Sequence, residues 1–248
     1  MAPRRRLAAI GDKPAYYRDF ARLVLEEART QMVQHSSYIP ALRFHWLTRL
    51  YDPLVAFTTR ESVFREAVAD LIVRSDSTNI LDLGCGTGTL AVMLKQRMPD
   101  CRVLGLDADP AVLNQARKKA NQAGIELEFD QATSFAMPYS DDTFDLVVSC
   151  LFFHHLTSDD KIRTLGEVAR VLRPGGLLVV CDWGKPTNAL NRISFGLVRL
   201  LDGFEVTRDN REGRLAAIIR SAGFGGVTVQ ETISAPLGTL ELLTAELA

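Results

Sequence analysis

The chain has 248 residues, 47% hydrophobic and 24% charged, with 29 basic and 30 acidic side chains and a net charge of −1. That composition excludes disordered, collagenous and low-complexity proteins, and the balanced charge exerts no bulk pull toward nucleic acid. The length suits one large α/β unit or two smaller domains.

Residues 1–75 are mildly basic, with 12 basic and 8 acidic groups, yet Arg4-Arg5-Arg6 is their only true cluster. No run approaches the roughly 18 apolar residues that a membrane-spanning helix needs. Leu7-Ala8-Ala9-Ile10 is too short for a signal-peptide core. Cys85, Cys101, Cys150 and Cys181 show no Cys-x-x-Cys spacing. These features predict a reduced, cytoplasmic protein with no transmembrane segment, peripheral membrane contact being the one membrane association they leave open.

In chain order, residues 1–75 read as helices without a strand pattern. Tyr17–Thr30 is amphipathic through Phe20, Leu23, Val24 and Ala28, Arg43–Tyr51 is rich in aromatics, and a helix is expected over Glu61–Val73. The organisation expected is a helical N-terminal cover over 1–60, then one α/β domain over 61–248. From residue 79 the pattern changes to short apolar runs alternating with helices. Strands are predicted at Ile80–Leu83, Val103–Leu106, Ile125–Phe129, Phe144–Cys150 and Leu177–Cys181, the last after the turn Arg173-Pro174-Gly175-Gly176. Helices are predicted at Leu90–Met98, from Pro110 to about Asn121 with Asp109 as cap, and at Ser158–Leu172. Apolar strands alternating with helices mark a doubly wound, parallel α/β sheet covered on both faces. A helix around Ala189–Leu201 has no strand before it and reads as an insertion within about 185–210. A helix over Arg211–Ala222 and a hairpin of Val227–Ile233 with Leu237–Leu243 complete the chain.

The segment Asp82-Leu83-Gly84-Cys85-Gly86-Thr87-Gly88-Thr89 lies at a strand-to-helix turn, where glycine lets the backbone approach a ligand. The dinucleotide fingerprint Gly-x-Gly-x-x-Gly fails, because Thr89 stands where the third glycine belongs. Asp82 would repel a pyrophosphate but would attract an ammonium and a sulfonium. The loop therefore suits a cationic nucleoside, S-adenosylmethionine (SAM), over NAD. Asp107 closes the second strand, where an acid in doubly wound folds accepts ribose hydroxyls; the other reading of it is a turn residue or cap, a role that Asp109 fills better.

Ile80–Gly88 resembles the SAM-binding motif of class I methyltransferases, and Leu106-Asp107, Met137–Val147 and Leu172–Gly176 match that family's later motifs in order. The resemblance covers roughly residues 60–182. Residues 43–75, with Leu50-Tyr51-Asp52-Pro53, resemble the UbiE-type (ubiquinone/menaquinone biosynthesis) subgroup more loosely. It implies a Rossmann-like, seven-stranded sheet whose last hairpin supplies an antiparallel edge. It further implies that SAM meets Asp82, Gly84, Cys85, Gly86, Gly88, Asp107 and Ala108. Thr133 and Ser134 would lie beside the adenine, and Ser149, Cys150 and Tyr51 near the methionine end. Relatives often carry an acid where this chain has Thr133, and Asp130 falls three residues early.

His154 and His155 follow the fourth strand at the edge where such sheets bind ligands. Either is a candidate general base or substrate-orienting group, the competing reading being a histidine bonded to backbone at a helix start. Asp182-Trp183 reads as packing or as substrate contact. Cys85, Cys150 and Cys181 lie near strand ends, where a metalloid-binding role is conceivable but small buried packing is the simpler reading. His35 and His45 lack ligand-like partners, so no metal is expected. The expected activity is methyl transfer from SAM to a small, apolar or aromatic acceptor at carbon, oxygen or nitrogen. A lipid or prenylquinone acceptor, and a SAM-binding module without transferase activity, are the alternatives.

Overall fold

The computed structural model describes residues 60–187 and 189–247. The helical cover, the aromatic run over 43–51 and Tyr51 lie outside them. Within them the chain runs α1 (Glu61–Val73), β1 (Asn79–Leu83), α2 (Thr89–Arg97), β2 (Arg102–Asp107), α3 (Pro110–Gln122), β3 (Glu128–Gln131) and β4 (Phe144–Cys150). There follow a single 3-10 turn (Phe153–His155), α4 (Ser158–Val171), β5 (Leu172–Trp183), α5 (Ala189–Asp202), α6 (Arg208–Glu212), α7 (Leu215–Ser221), β6 (Phe224–Ala235) and β7 (Gly238–Leu247). The seven strands form one sheet in the order β3-β2-β1-β4-β5-β7-β6. β1 to β5 pair in parallel, and β7 runs antiparallel to both β5 and β6. This is the doubly wound architecture expected, with the hairpin at the edge.

Period-two alternation along the strands sorts every central residue to one face or the other. Ile80, Val103, Leu146, Val148, Val179 and Cys181 pack on one face against α1, α2, α3 and α5 through Phe64, Leu94, Leu113 and Phe195. Leu81, Leu83, Leu104, Leu106, Val147, Leu178 and Val180 pack on the other against α4 and α7 through Leu165, Val168 and Ile219. Each such buried aliphatic side chain contributes about 1.5–3 kcal/mol relative to exposure. The same alternation puts Asp82 and Asp107 in phase with the first face, and Asp182 in phase with the second.

Several boundaries shift for identifiable reasons. Ile125 and Leu127 alternate like a strand, but pairing with β2 begins only at Leu104 with Glu128, so β3 starts three residues late. The Arg173–Gly176 turn becomes an excursion inside β5, where Phe144 opposes Leu172 and Leu146 opposes Leu177. Gly213 (φ 71°) caps α6 in the left-handed region and splits the helix expected over Arg211–Ala222 into α6 and α7. Asp109 caps α3 as expected, its side chain accepting from Ala111 N. At α4 the cap is Thr157, which accepts from Asp160 N.

The segment between β5 and β6 is fixed to α4 by a lysine with no exposed surface. Lys161 Nζ donates to Leu156 O (3.0 Å), Val206 O (2.9 Å) and Asp209 Oδ2 (3.1 Å), and Ser158 Oγ donates to the same carboxylate (2.7 Å). Three ammonium donors thus meet three acceptors in the interior, the arrangement that lets a buried charge persist. Lys161→Met should lower stability by about 3–5 kcal/mol, because it strands the buried Asp209 carboxylate; urea denaturation measures it.

Candidate active site

The loop after β1 is built around the end of β2. Gly84 N and Cys85 N donate to Leu106 O (2.8 and 3.0 Å), and Gly86 N donates to Asp107 Oδ2 (3.0 Å). Lys119 of α3 reaches over to Thr87 and Thr89, donating to both hydroxyls (2.9 and 2.5 Å). The three glycines serve different ends. A Cβ on Gly84 would lie 2.4 Å from the Phe152 ring, and one on Gly88 would lie 2.8 Å from Ala116 Cβ, so packing excludes side chains there. A Cβ on Gly86 (φ 53°) would meet none of the described residues within 4 Å. Among the described residues, Gly86 alone of the three is uncrowded, as a ligand cradle requires.

Two carboxylates flank this space. Asp82 is 2% exposed, and its Oδ2 has no hydrogen-bond partner. Burial pushes its pKa up to about 7, against the lowering influence of the Arg65 charge and a hydrogen bond from the Ala91 backbone. Asp107 is raised more modestly, burial outweighing its bonds from Asp109 N (2.9 Å) and Gly86 N. Asp107 thus combines both expected readings, shaping the turn while presenting a carboxylate at the tip of β2. A buried, orphaned carboxylate oxygen is the complement of a cationic donor group, and with the bare Gly86 backbone it fits the ammonium-bearing nucleoside expected from the loop.

The remaining expected contacts are placed as follows. Ser149 is buried and its Oγ donates to Leu83 O (2.9 Å), while half-buried Cys150 pairs in register with buried Cys181 on β5. The Gln131 amide donates to Ala108 O at 3.4 Å. Thr133 is half-buried after β3, whereas Ser134 is buried and its hydroxyl shares a 2.7 Å hydrogen bond with Thr164 of α4. Asp130 accepts from the Tyr139 hydroxyl (3.1 Å). Among the described residues no three His, Cys, Asp or Glu side chains converge as a metal would require. A groove of about 730 Å³ lined by Lys95, Arg102, Arg117 and Glu128 lies at the amino ends of β2 and β3, the edge opposite the glycine loop. Its cations are engaged by the Pro99, Cys101 and Phe129 carbonyls and by Glu128.

The two histidines differ sharply. His154 is buried in the 3-10 turn, and its Nδ1 lies 2.7 Å from Asp182 Oδ1. His155 stacks beside it, ring centroids 4.0 Å apart. Desolvation, then the charges of His154 and Lys161, hold its pKa well below the usual imidazole value, so it stays neutral at physiological pH. Asp182, read from sequence as packing or substrate contact, is buried against the His154 ring. Arg65, whose charge bears on Asp82 and Cys181, went unmarked in the sequence, its only signal being a basic residue on the helix before the glycine loop. Asn210 and Lys161 carried no sequence signal at all.

The raised Asp82 pKa has a defined sign. Between about pH 4 and 7 the unfolded chain has lost this proton while the native state keeps it, so the contribution of Asp82 to stability declines as pH rises. Asp82→Asn should abolish that decline. Measured by urea denaturation without ligand, the variant should gain on the order of 2 kcal/mol over wild type between pH 5 and 8.

Residues 80–176 match the model of a methyltransferase-domain family. Demethylmenaquinone methyltransferase of Thermus thermophilus is 41% identical over 135 residues, 54% of this chain and 59% of that protein. The same enzyme of Deinococcus radiodurans is 34% identical over 165 residues, 66% of each chain. The ubiquinone/menaquinone biosynthesis C-methyltransferase UbiE of Klebsiella pneumoniae is 31% identical over 169 residues, 66% of this chain and 63% of that one. The chain thus spans somewhat under two thirds of the length of these relatives. The solved structure of the SAM-dependent methyltransferase SibL superposes with TM-score 0.68 at 18% identity, covering 94% of this chain and 76% of that one. A SAM-dependent methyltransferase from Aquifex aeolicus gives 0.58 at 21%, covering 82% and 97%. Those two likenesses speak for the fold, the three sequence relatives for the lineage. With its glycine loop, its strand order and these relatives, the chain carries a class I SAM-dependent methyltransferase domain and is similar to the UbiE-type proteins.

Proposed function

We propose that the protein transfers a methyl group from SAM to a small hydroxylated aromatic ring, related to the quinones in the names of its relatives. The observation that carries this reading is the buried Asp82 carboxylate with an unsatisfied oxygen, on the same loop as the open space at Gly86. Asp82 and Arg65, the latter ion-paired with Glu61 (2.6 Å), supply opposite charges for the zwitterionic methionine end of the cofactor. Asp107 and the neighbouring Ala108 backbone take the ribose hydroxyls. The bare Gly86 backbone accepts the nucleoside, and Thr133 lies toward the adenine. When bound, SAM supplies a methyl group on a positive sulfur that departs as a neutral thioether. The protein then has mainly to hold donor and acceptor in line and dry, positioning that contributes roughly 7–11 kcal/mol to lowering the barrier.

His154 is the base that receives the acceptor's proton, and the hydrogen bond to Asp182 fixes its ring. His155 is its neutral neighbour. The acceptor is apolar or aromatic, in keeping with Phe152, Phe153 and Trp183 around the histidine pair. Among the described residues no helix is long and apolar enough to cross a membrane, so a lipid-borne ring would be met at the bilayer surface.

The cofactor assignment is tested by calorimetry. Asp107→Ala should weaken SAM binding at least tenfold, through charge-assisted bonds worth roughly 1.5–3 kcal/mol. Gly86→Val should abolish binding, because it fills the open space and forces a β-branched residue to positive φ. Wild-type affinity in both variants would remove SAM from the reading.

The acceptor assignment is tested by incubating the protein with SAM and a demethylated naphthoquinol bearing a short isoprenoid tail. Methylated quinol and S-adenosylhomocysteine should form together; SAM binding without either product would leave a binding module. His154→Ala should lower turnover by about 10²–10⁴-fold with SAM affinity intact.

A further inference from the structure

Two free cysteines face each other across the middle of the sheet. Cys150 on β4 and Cys181 on β5 pair in register, and the N–H of the next residue, Leu151, donates to Cys181 O (2.8 Å). Residues paired in register on parallel strands send their side chains to the same face of the sheet. Here it is the first face, where Cys181 is fully buried in the packed layer and half-buried Cys150 lies against that layer. Neighbouring strands run about 4.7–4.9 Å apart, inside the span of about 4.4–6.8 Å that a disulfide bridges between Cα atoms. The two sulfurs can therefore join without moving a strand. The thiols interact already: a hydrogen bond with Cys150, ahead of burial, holds the Cys181 pKa well above the usual thiol value.

The other two cysteines stay out of reach. Cys85 turns its sulfur toward Gly105 on β2, with β1 between it and β4. The buried Cys101 thiol donates to Ser77 O (3.4 Å) at the opposite edge of the sheet. Of Cys85, Cys150 and Cys181, the three thiols near strand ends, the fold brings together only a pair. That pair adjoins the candidate cofactor site. Asp82 stands opposite Val148 in register, so Cys150 lies two residues further along the same face, roughly 7 Å nearer the carboxyl edge. The Arg65 charge bears on both Asp82 and Cys181, which sets them in one neighbourhood.

We propose that Cys150 and Cys181 form a redox-active dithiol that peroxide closes to a disulfide, and that SAM, lying over Cys150, guards it. The guarding rests on the reading of Asp82 as the site of the cofactor's ammonium. Cys150 reacts first, because it is the more open thiol. Its thiolate attacks hydrogen peroxide, the O–O bond breaks, and the hydroxide released takes up the thiol's proton as water, leaving a sulfenic acid. Cys181 then attacks that sulfur. The S–O bond breaks, and the oxygen leaves with the Cys181 proton as a second water. Two thiols are oxidised and one peroxide is reduced to two waters. The empty protein is the form that closes, and the loaded one is spared.

The test treats full-length protein with hydrogen peroxide at neutral pH, without and with saturating SAM, and reads intact mass and a peptide map. Without SAM the mass should fall by two hydrogens and the map should show a Cys150–Cys181 cross-link that dithiothreitol reverses. C181S should not close, and dimedone should trap its Cys150 as the sulfenic acid; C150S should stay reduced at position 181. SAM should slow closure of wild type, and dimedone labelling of C181S, by about tenfold or more, because oxidation follows the exposure of the thiol. Calorimetry on the same samples establishes occupancy. A folded wild-type protein in which both thiols stay reduced, or a cross-link that runs through Cys85 or Cys101, would overturn the dithiol. Closure at an unchanged rate with SAM bound would overturn the guard. If SAM does not bind at all, the cofactor reading falls and the guard with it, while the mass and the map still decide the dithiol.

Discussion

The last carbonyl and the last carboxylate of β2 take three successive backbone N–H groups, those of Gly84, Cys85 and Gly86. That clasp turns the chain sharply off β1, so the loop that starts α2 is shaped by the neighbouring strand and not by its own residues. It also explains why Asp107 cannot be assigned a single duty. The carboxylate at the tip of β2 is also the group that holds the Gly86 backbone, so removing it would loosen the loop. Lys119 on Thr87 and Thr89 closes the far side of the same turn. The position of the Gly86 backbone follows from this clasp.

The sheet carries two buried acids at its carboxyl edge that solve the problem of burial in opposite ways. Asp82, in phase with the first face, is left short of donors and rises in pKa. Asp182, in phase with the second face, is surrounded by donors. A buried acid short of partners is a vacancy for a cation, and one saturated with them is a fixed reference for its neighbour. The strand period of two keeps these groups on opposite sides of the sheet, so binding chemistry and proton chemistry can be tuned separately.

Much of this was legible in the sequence because it is local. The glycine loop, Asp107, the Asp109 cap and the strand-helix alternation each declare themselves within a few residues. The failures occur where partners distant in sequence decide. Ile125 and Leu127 alternate like a strand, yet β2 offers its pairing groups only from Glu128 onward. A helix pattern across Gly213 was overruled by one left-handed residue. Asp182 looked like packing because its partners come from positions 152, 154 and 210, and Asn210 looked like nothing because an asparagine in a charged helical stretch has no pattern. Arg65 was similarly silent, its meaning set by a carboxylate 17 positions later in the chain.

The buried Lys161–Asp209 pair has a consequence for how this scaffold could diversify. Segments inserted ahead of the final hairpin are natural places to alter what a methyltransferase admits, and they are commonly treated as interchangeable parts. Here the part is wired into the frame: position 209 must satisfy a lysine on α4, and position 210 must reach the end of β5. A transplanted segment that supplied a new pocket wall without an acid and an amide at those two places would leave an interior ammonium unanswered and the histidine turn unsupported. Any replacement of this segment therefore has to keep the acid at 209 and the amide at 210.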